Sequence, residues 1–469
     1  METLILAAET LYPEQVTTNQ LVQNLVYASG TVGAIFVLVG LLLIDAGGLR
    51  RRSIGNATVE KLIGFFIGFA VYFGIGFAIW AAQYNRPFYG SAWEAITETA
   101  KQFWIGGNLT NDLAQNVDPA VWPALNSFQI FIFFLACFAG LINVLLHFAV
   151  SERMRPIAFY ITCVVATIVS SLLSYATWGS VGWLTNLGFH DFFGVGFVYM
   201  FTGAMALVFV IALGRRPGMY EAHAKVQEYR VTNNGLVIAG VATVFAGLPM
   251  VILSCLYFID PEALAVSVTM AETSVGVAFN NYGLAWAGGV LGGAVIAYAT
   301  KKYSYIALGA FGGYVACASA MDVYKPWQTF LVALGAPVVA YLVYELMKKR
   351  GVDEHKLVPL FVGCGTYGMI MVGLIAWGTP KGGYVGYDAP WAFQGAEITL
   401  WWQLIGIAFI LGVGIATGLV LTVIFKAAGI LRNSDDDQAE GLDRVFWGME
   451  PDVQPIGEYA SKPGGDSTS

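Results

Sequence analysis

Apolar positions run in long unbroken blocks along this chain, separated by short polar clusters. Eleven blocks are long enough to cross a bilayer as helices, roughly 25–46, 59–82, 125–150, 156–178, 191–213, 234–258, 277–300, 304–321, 326–347, 356–377 and 400–426. A helix needs about 20 such residues to span a hydrocarbon layer of about 30 Å. The blocks are too long and too continuous for strands, so the pattern predicts an all-α, multi-pass membrane protein. Glycine and aromatic residues recur throughout, as close helix packing and interfacial belts require.

Composition supports this class. Of 469 residues, 57% are hydrophobic and 12% charged, against about 25% charged in a soluble chain. The net charge of −7 says less than its distribution. Alternate loops hold 20 of the 24 basic residues, from Arg50, Arg51 and Arg52 through Arg215 and Arg216 to Lys348, Lys349 and Arg350. The other loops hold only Arg86, Lys101, Lys325 and Lys381. Basic loops stay cytoplasmic, which predicts an external N-terminus and a cytoplasmic C-terminus, consistent with an odd number of spans. The segment before the first span has no basic n-region and reads as an external extension, not a signal peptide. Residues 1–430 form the membrane domain, and residues 431–469 an acidic, then Pro/Gly/Ser-rich, cytoplasmic tail. Phe446-Trp447 marks a part of that tail that could dock on the cytoplasmic face.

The spans read as almost free of acids and bases, which argues against an ion-coupled pump. No histidine cluster has metal spacing, and no nucleotide or hydrolase motif occurs, so no enzyme, cofactor, metal or nucleic-acid function is expected. The five cysteines fall inside spans and read as buried thiols. Chemistry concentrates in the stretch HDFFGVGFVYMFTGAMALV, residues 190–208. Asp191 opens an apolar run, either as an N-cap or as an anion at the outer vestibule. Trp178 reads as an interface-belt residue or a cation–π platform. Phe134 and Phe138 lie one helical turn apart and by default face core or lipid.

The order of motifs resembles the ammonium transporter (Amt/Mep/Rh) family. AGGLRRRS follows the first span, SERMR closes the third, and WGSVGWLTNLGFHDFFG joins the fourth and fifth. LGRRPG, FNNYGLAWAGG, KKRGVDEH before GCGTYGMIMVGL, and GILRNSDDDQAEGLD follow in register. The resemblance covers most of the chain. It implies two five-helix inverted repeats plus an eleventh helix, a homotrimer with one pore per subunit, and passive movement of ammonium or a small (methyl)amine across the cell membrane. It also implies an outer site at Trp178, with Phe138 as the gating ring, Phe134 one turn above, and Asp191 as the supporting carboxylate. The family's paired midplane histidines map onto Tyr199 and Phe361, so both are missing. The sixth span reads TVFAGLPMVILSC and offers no counterpart to the second gating ring, and the family's serine falls near Cys255 in poor register. Three readings follow: an ammonium channel with an altered pore, a carrier of another amine or neutral solute, or a non-conducting sensor or scaffold. Lipid is the implied surroundings, and a PII-type signalling protein the implied partner of the tail.

Overall fold

The computed structural model describes residues 18–86, 89–113, 125–178, 182–217, 219, 232–259, 266–268, 274–381 and 396–449. Both the N-terminal extension, 1–17, and the tail beyond 449 lie outside the described residues. Among the described residues, eleven apolar helices stand at the predicted places. They are α1 (Thr18–Gly48), α2 (Ile54–Val71, a π turn Tyr72–Gly76, then Phe77–Asn85), α3 (Leu125–Val150), α4 (Pro156–Thr177) and α5 (a π turn Val195–Met200 running into Phe201–Leu213). They continue with α6 (Asn234–Leu256), α7 (Val275–Thr300), α8 (Ser304–Ala318), α9 (Pro326–Lys349), α10 (a π turn Pro359–Cys364 running into Gly365–Ile375) and α11 (Leu400–Ala427). Nine are long enough to span; α8 and α10 are shorter. A two-stranded ribbon pairs Tyr257–Ile259 with Val266–Val268, and isolated bridges join Met154 to Arg432 and Pro380 to Glu397. All five cysteines are buried and free.

Glycine sets the closest helix approaches. A methyl group on Gly40 would lie 2.6 Å from the Gly240 carbonyl, and one on Gly240 2.5 Å from the Gly40 carbonyl. Gly33 and Gly247 repeat this reciprocal contact one heptad away. Thus α1 and α6, the leading helices of the two halves, cross antiparallel with backbones touching, as small residues allow in a membrane interior. Both α5 and α10, the closing helices of the halves, begin in a π turn. These matches relate the first half of the chain to the second, with α11 added. Large apolar side chains such as Phe36, Ile238, Leu342 and Val423 point outward, a surface suited to lipid.

Hydropathy passes over the amphipathic helix Ala92–Phe103, capped by Ser91, whose Thr99 and Phe103 are buried against α2. The described tail forms two short helices, α12 (Asp435–Glu440) and α13 (Leu442–Trp447). Asp443 accepts hydrogen bonds from the Gly55 and Asn56 amides at 3.1 and 2.6 Å, capping the start of α2. The Trp447 indole donates to Asn56 Oδ1 at 3.0 Å, so the Phe446-Trp447 segment does dock.

Candidate functional site

The end of α4 and the start of α5 build one part of the site. Asp191 is buried, and its two oxygens accept the Val195 and Gly196 amides at 2.8 and 2.7 Å. Those amides belong to the first turn of α5, where no intrahelical acceptor exists. The carboxylate therefore caps the helix, made possible by the left-handed turn at Gly194 (φ 73°). Trp178 ends α4 and is only 3% exposed, so it is not an interface-belt residue. Its indole donates to the Phe192 carbonyl at 3.0 Å, and its own carbonyl accepts from Trp80 at 2.9 Å. Sequence does not separate a buried tryptophan from an interfacial one; the partner Trp80, from α2, decides it.

Phe138 brings α3 to this cluster, its ring centre 6.5 Å from Trp178 and 6.4 Å from Phe197. Phe134 stacks on Phe138 at 6.5 Å with the rings 23° apart. Both rings are buried, not lipid-facing. Behind Phe138 and Trp178 is a small cavity with room for about one water, walled by Tyr72, Ser170, Ser171, Ser174 and Phe197. Each serine donates its proton to a backbone carbonyl of its own helix, which leaves the oxygens as acceptors. Ser254, beside Cys255, instead spends its hydroxyl on the Val26 carbonyl of α1 at 2.7 Å.

The two positions that the resemblance pairs, Tyr199 and Phe361, meet. Tyr199 and Phe361 each sit on the π turn of their helix, with ring centres 4.9 Å apart at 63°. Gly203 permits this approach, since a methyl group there would lie 2.8 Å from Phe361 Cβ. The Tyr199 hydroxyl donates to Tyr314 of α8 at 3.3 Å. Behind Tyr314 the rings of Trp286 and Tyr282 follow at 5.8 and 6.1 Å. The meeting point of α5 and α10 is an aromatic contact with the Tyr199 and Tyr314 hydroxyls on one side.

Two features escaped the sequence. His190 Nε2 lies 3.0 Å from Asp322 Oδ1, and Gln403 of α11 clamps the His190 backbone at both its amide and its carbonyl. The second feature overturns the reading of spans almost free of acids and bases. Asp45 of α1, Glu60 and Lys61 of α2 and His147 of α3 are buried and in contact with one another. Each stands near the end of its apolar block, where hydropathy treats it as interfacial. Removing Lys61 from the loop count leaves 19 basic residues against four, from 20 minus one, so the charge asymmetry stands.

At the tail-bearing end a second charge network ties the loops together. Glu152 pairs with Arg50 at 2.7 Å and Arg216 at 3.4 Å; Asp353 pairs with Arg216 at 2.8 Å. Burial works to raise both carboxyls, but the arginines outweigh it: Arg216 holds Asp353 well below the usual carboxylate range, and Arg50 with Arg216 lowers Glu152. Glu354 accepts three amides at the start of α10, from Lys356, Leu357 and Val358. It does for α10 what Asp191 does for α5.

Comparison with known proteins gives one consistent result. Residues 26–450 match the Ammonium Transporter Family. The chain is 24% identical over 433 residues to ammonium transporter Amt2 of Archaeoglobus fulgidus, covering 87% of this chain and 83% of that one. It is 25% identical over 421 residues to the ammonium transporter of Bacillus subtilis, covering 87% and 93%. Among solved structures, a sensor Amt protein superposes with a TM-score of 0.71 at 18% identity, over 92% of this chain and 99% of that one. Candida albicans Mep2 superposes with a TM-score of 0.65 at 18% identity, over 88% and 87%.

Proposed function

The chain belongs to the Ammonium Transporter Family, and from that premise we propose that it carries ammonium or a small methylated amine passively across the membrane, through a pore in each subunit. The observation that carries this reading is the meeting of Tyr199 and Phe361 from the closing helices of the two repeats. A transporter built of inverted repeats places its pathway at such an interface. Trp178, Phe138 and Phe134 form the aromatic recruitment site above it, and Asp191 fixes α5 so that Tyr199 reaches this depth.

The magnitudes favour a partly dehydrated or methylated substrate. A desolvated cation gains about 2 kcal/mol from an aromatic face, while stripping an ion of water costs several kcal/mol. Phe361 offers no polar atom and Tyr199 one hydroxyl, so a bare ammonium ion is poorly compensated at the contact. Methyl groups lower the dehydration cost and suit the rings. The protein acts as a homotrimer in the cell membrane, with an external N-terminus and a cytoplasmic tail available to a PII-type signalling protein.

The closed aromatic contact also favours a second reading, a non-conducting ammonium sensor whose lumen is sealed by Tyr199, Phe361 and Tyr314. Reconstituted flux of ammonium, methylammonium and larger amines separates the two. Flux above protein-free liposomes supports the carrier. Saturable ammonium binding without flux supports the sensor.

A further inference from the structure

The small cavity behind Phe138 and Trp178 is built by one half of the chain. Its described walls all come from α2 to α5, with Tyr72 on α2 and three serines on α4. The contact of Tyr199 with Phe361, by contrast, joins α5 to α10 across the halves. On α6, Ser254 is spent on the Val26 carbonyl and does not reach this cavity.

The polar atoms of the cavity accept more than they donate. Ser170, Ser171 and Ser174 are 2%, 1% and 3% exposed. Each commits its hydroxyl proton to a carbonyl of α4, at 2.9, 2.8 and 2.8 Å. A hydroxyl carries one proton and two lone pairs, so toward a guest each serine oxygen can only accept. Tyr72 is 6% exposed, and its hydroxyl makes no hydrogen bond among the described residues. A buried phenol usually has a partner, and a buried polar group without one is costly. Tyr72 and Gly76 bound the π turn of α2, and such turns recur at functional sites. A methyl group on Gly76 would lie 2.6 Å from Ser171 Oγ and 2.7 Å from Tyr72 Cδ2, so glycine keeps both side chains clear. The rest of the wall is aromatic: the Trp178 ring centre lies 5.4 Å from Phe197 and 6.5 Å from Phe138. Ser174 stands in the last turn of α4, at the negative end of the helix dipole.

We propose that this cavity binds one ammonium ion between the α4 serines and Tyr72, against the ring wall of Trp178. The proposal rests on the ammonium reading above and gives that ion a second place, apart from the Tyr199–Phe361 contact. Three serine oxygens and the Tyr72 oxygen are on offer to four N–H donors, and a guest without acceptors leaves no lone pair of its own unmet. Water has two donors and two acceptors, and only the Tyr72 proton is free to serve it. The helix end and the ring faces favour positive charge. Room for about one water admits ammonium and excludes the methyl group of methylammonium. This preference is opposite to that of the Tyr199–Phe361 contact, so binding and flux separate by substrate.

The test titrates ammonium chloride, then methylammonium chloride, into full-length protein in detergent by calorimetry, with sodium chloride holding the ionic strength. Wild type should bind ammonium saturably and methylammonium at least roughly tenfold more weakly. Tyr72→Phe and Ser171→Ala should each weaken ammonium binding roughly tenfold or more in protein that still melts cooperatively. Equal affinity for the two amines overturns the site, as does wild-type ammonium affinity in both folded variants. Absence of ammonium binding to wild type also overturns it and leaves a cavity for water only. Should neither variant fold, wild-type crystals soaked in a thallous salt decide: an anomalous peak between Ser171 and Tyr72 supports the site, and its absence overturns it. Amine flux is read separately in liposomes. Flux without this binding overturns the site and leaves the carrier reading; binding that both variants weaken, without flux, supports the site and the sensor reading; neither binding nor flux overturns both.

Discussion

Asp191→Ala tests whether the mouth of α5 is held by its cap. The substitution removes the acceptors of two amides, Val195 and Gly196, at 2.8 and 2.7 Å. Asp191 is 4% exposed, so water does not readily replace the carboxylate. Each buried donor left without a partner costs about 1–3 kcal/mol, giving about 2–6 kcal/mol for the pair. An ordinary exposed N-cap costs about 0.5–2 kcal/mol, so the buried position sets the upper range. Asp191→Asn keeps one acceptor and turns an amide group against the other donor, and should lose about half as much. The five cysteines are buried and free, so a thiol-reactive fluorophore reports unfolding of detergent-purified protein directly. The alanine variant should melt clearly below wild type, with asparagine between them. Wild-type melting of Asp191→Ala would show that the two hydrogen bonds do not hold the helix.

Trp178→Ala should also destabilise, by about 3–5 kcal/mol for a buried aromatic, so its effect on substrate must be read in a variant such as Trp178→Phe that keeps the packing. The double variant Tyr199→His with Phe361→His replaces the midplane rings by two hydrogen-bonding imidazoles. It should raise the flux of ammonium relative to methylated amines by on the order of tenfold, read in liposome flux; an unchanged ratio would remove these positions from control of the pore. Asp353 and Glu152 have folded pKa values below their ordinary range, so the unfolded state binds more protons at low pH. Their stabilisation is complete above about pH 5 and is lost as pH falls through the depressed values; melting against pH should show this loss, and Arg216→Gln should flatten it. Gly40→Val would drive a side chain into the Gly240 carbonyl and should abolish a monodisperse protein, whereas Gly283→Ala, with open space around it, should not.

The apolar helices were legible because hydropathy is a local sum, and each block carries its own evidence. The Asp191 cap was legible for a similar reason: a carboxylate immediately before an apolar run has few local uses. The π turns that begin α5 and α10 were not legible, since they follow from packing between the halves. They bring Tyr199 and Phe361 into contact. Whether Trp178 is interfacial or buried stayed open in the sequence, because its burial depends on Trp80, far away in sequence. The buried quartet was invisible for the same reason. Lys61 and His147 are 86 residues apart, and each alone looks like a polar helix end. The tail's docking was half legible: Phe446-Trp447 signalled apolar contact, but only the fold reveals Asp443 as the cap of α2.

The central claim is that ammonium or a small amine passes through this protein. The most direct measurement is current on a solid-supported membrane bearing reconstituted protein, with ammonium and methylammonium pulses at fixed ionic strength. The account predicts saturable currents above those of protein-free membranes, with methylammonium favoured relative to the histidine double variant. Absence of current for every amine, in protein that melts cooperatively and binds ammonium, would contradict it.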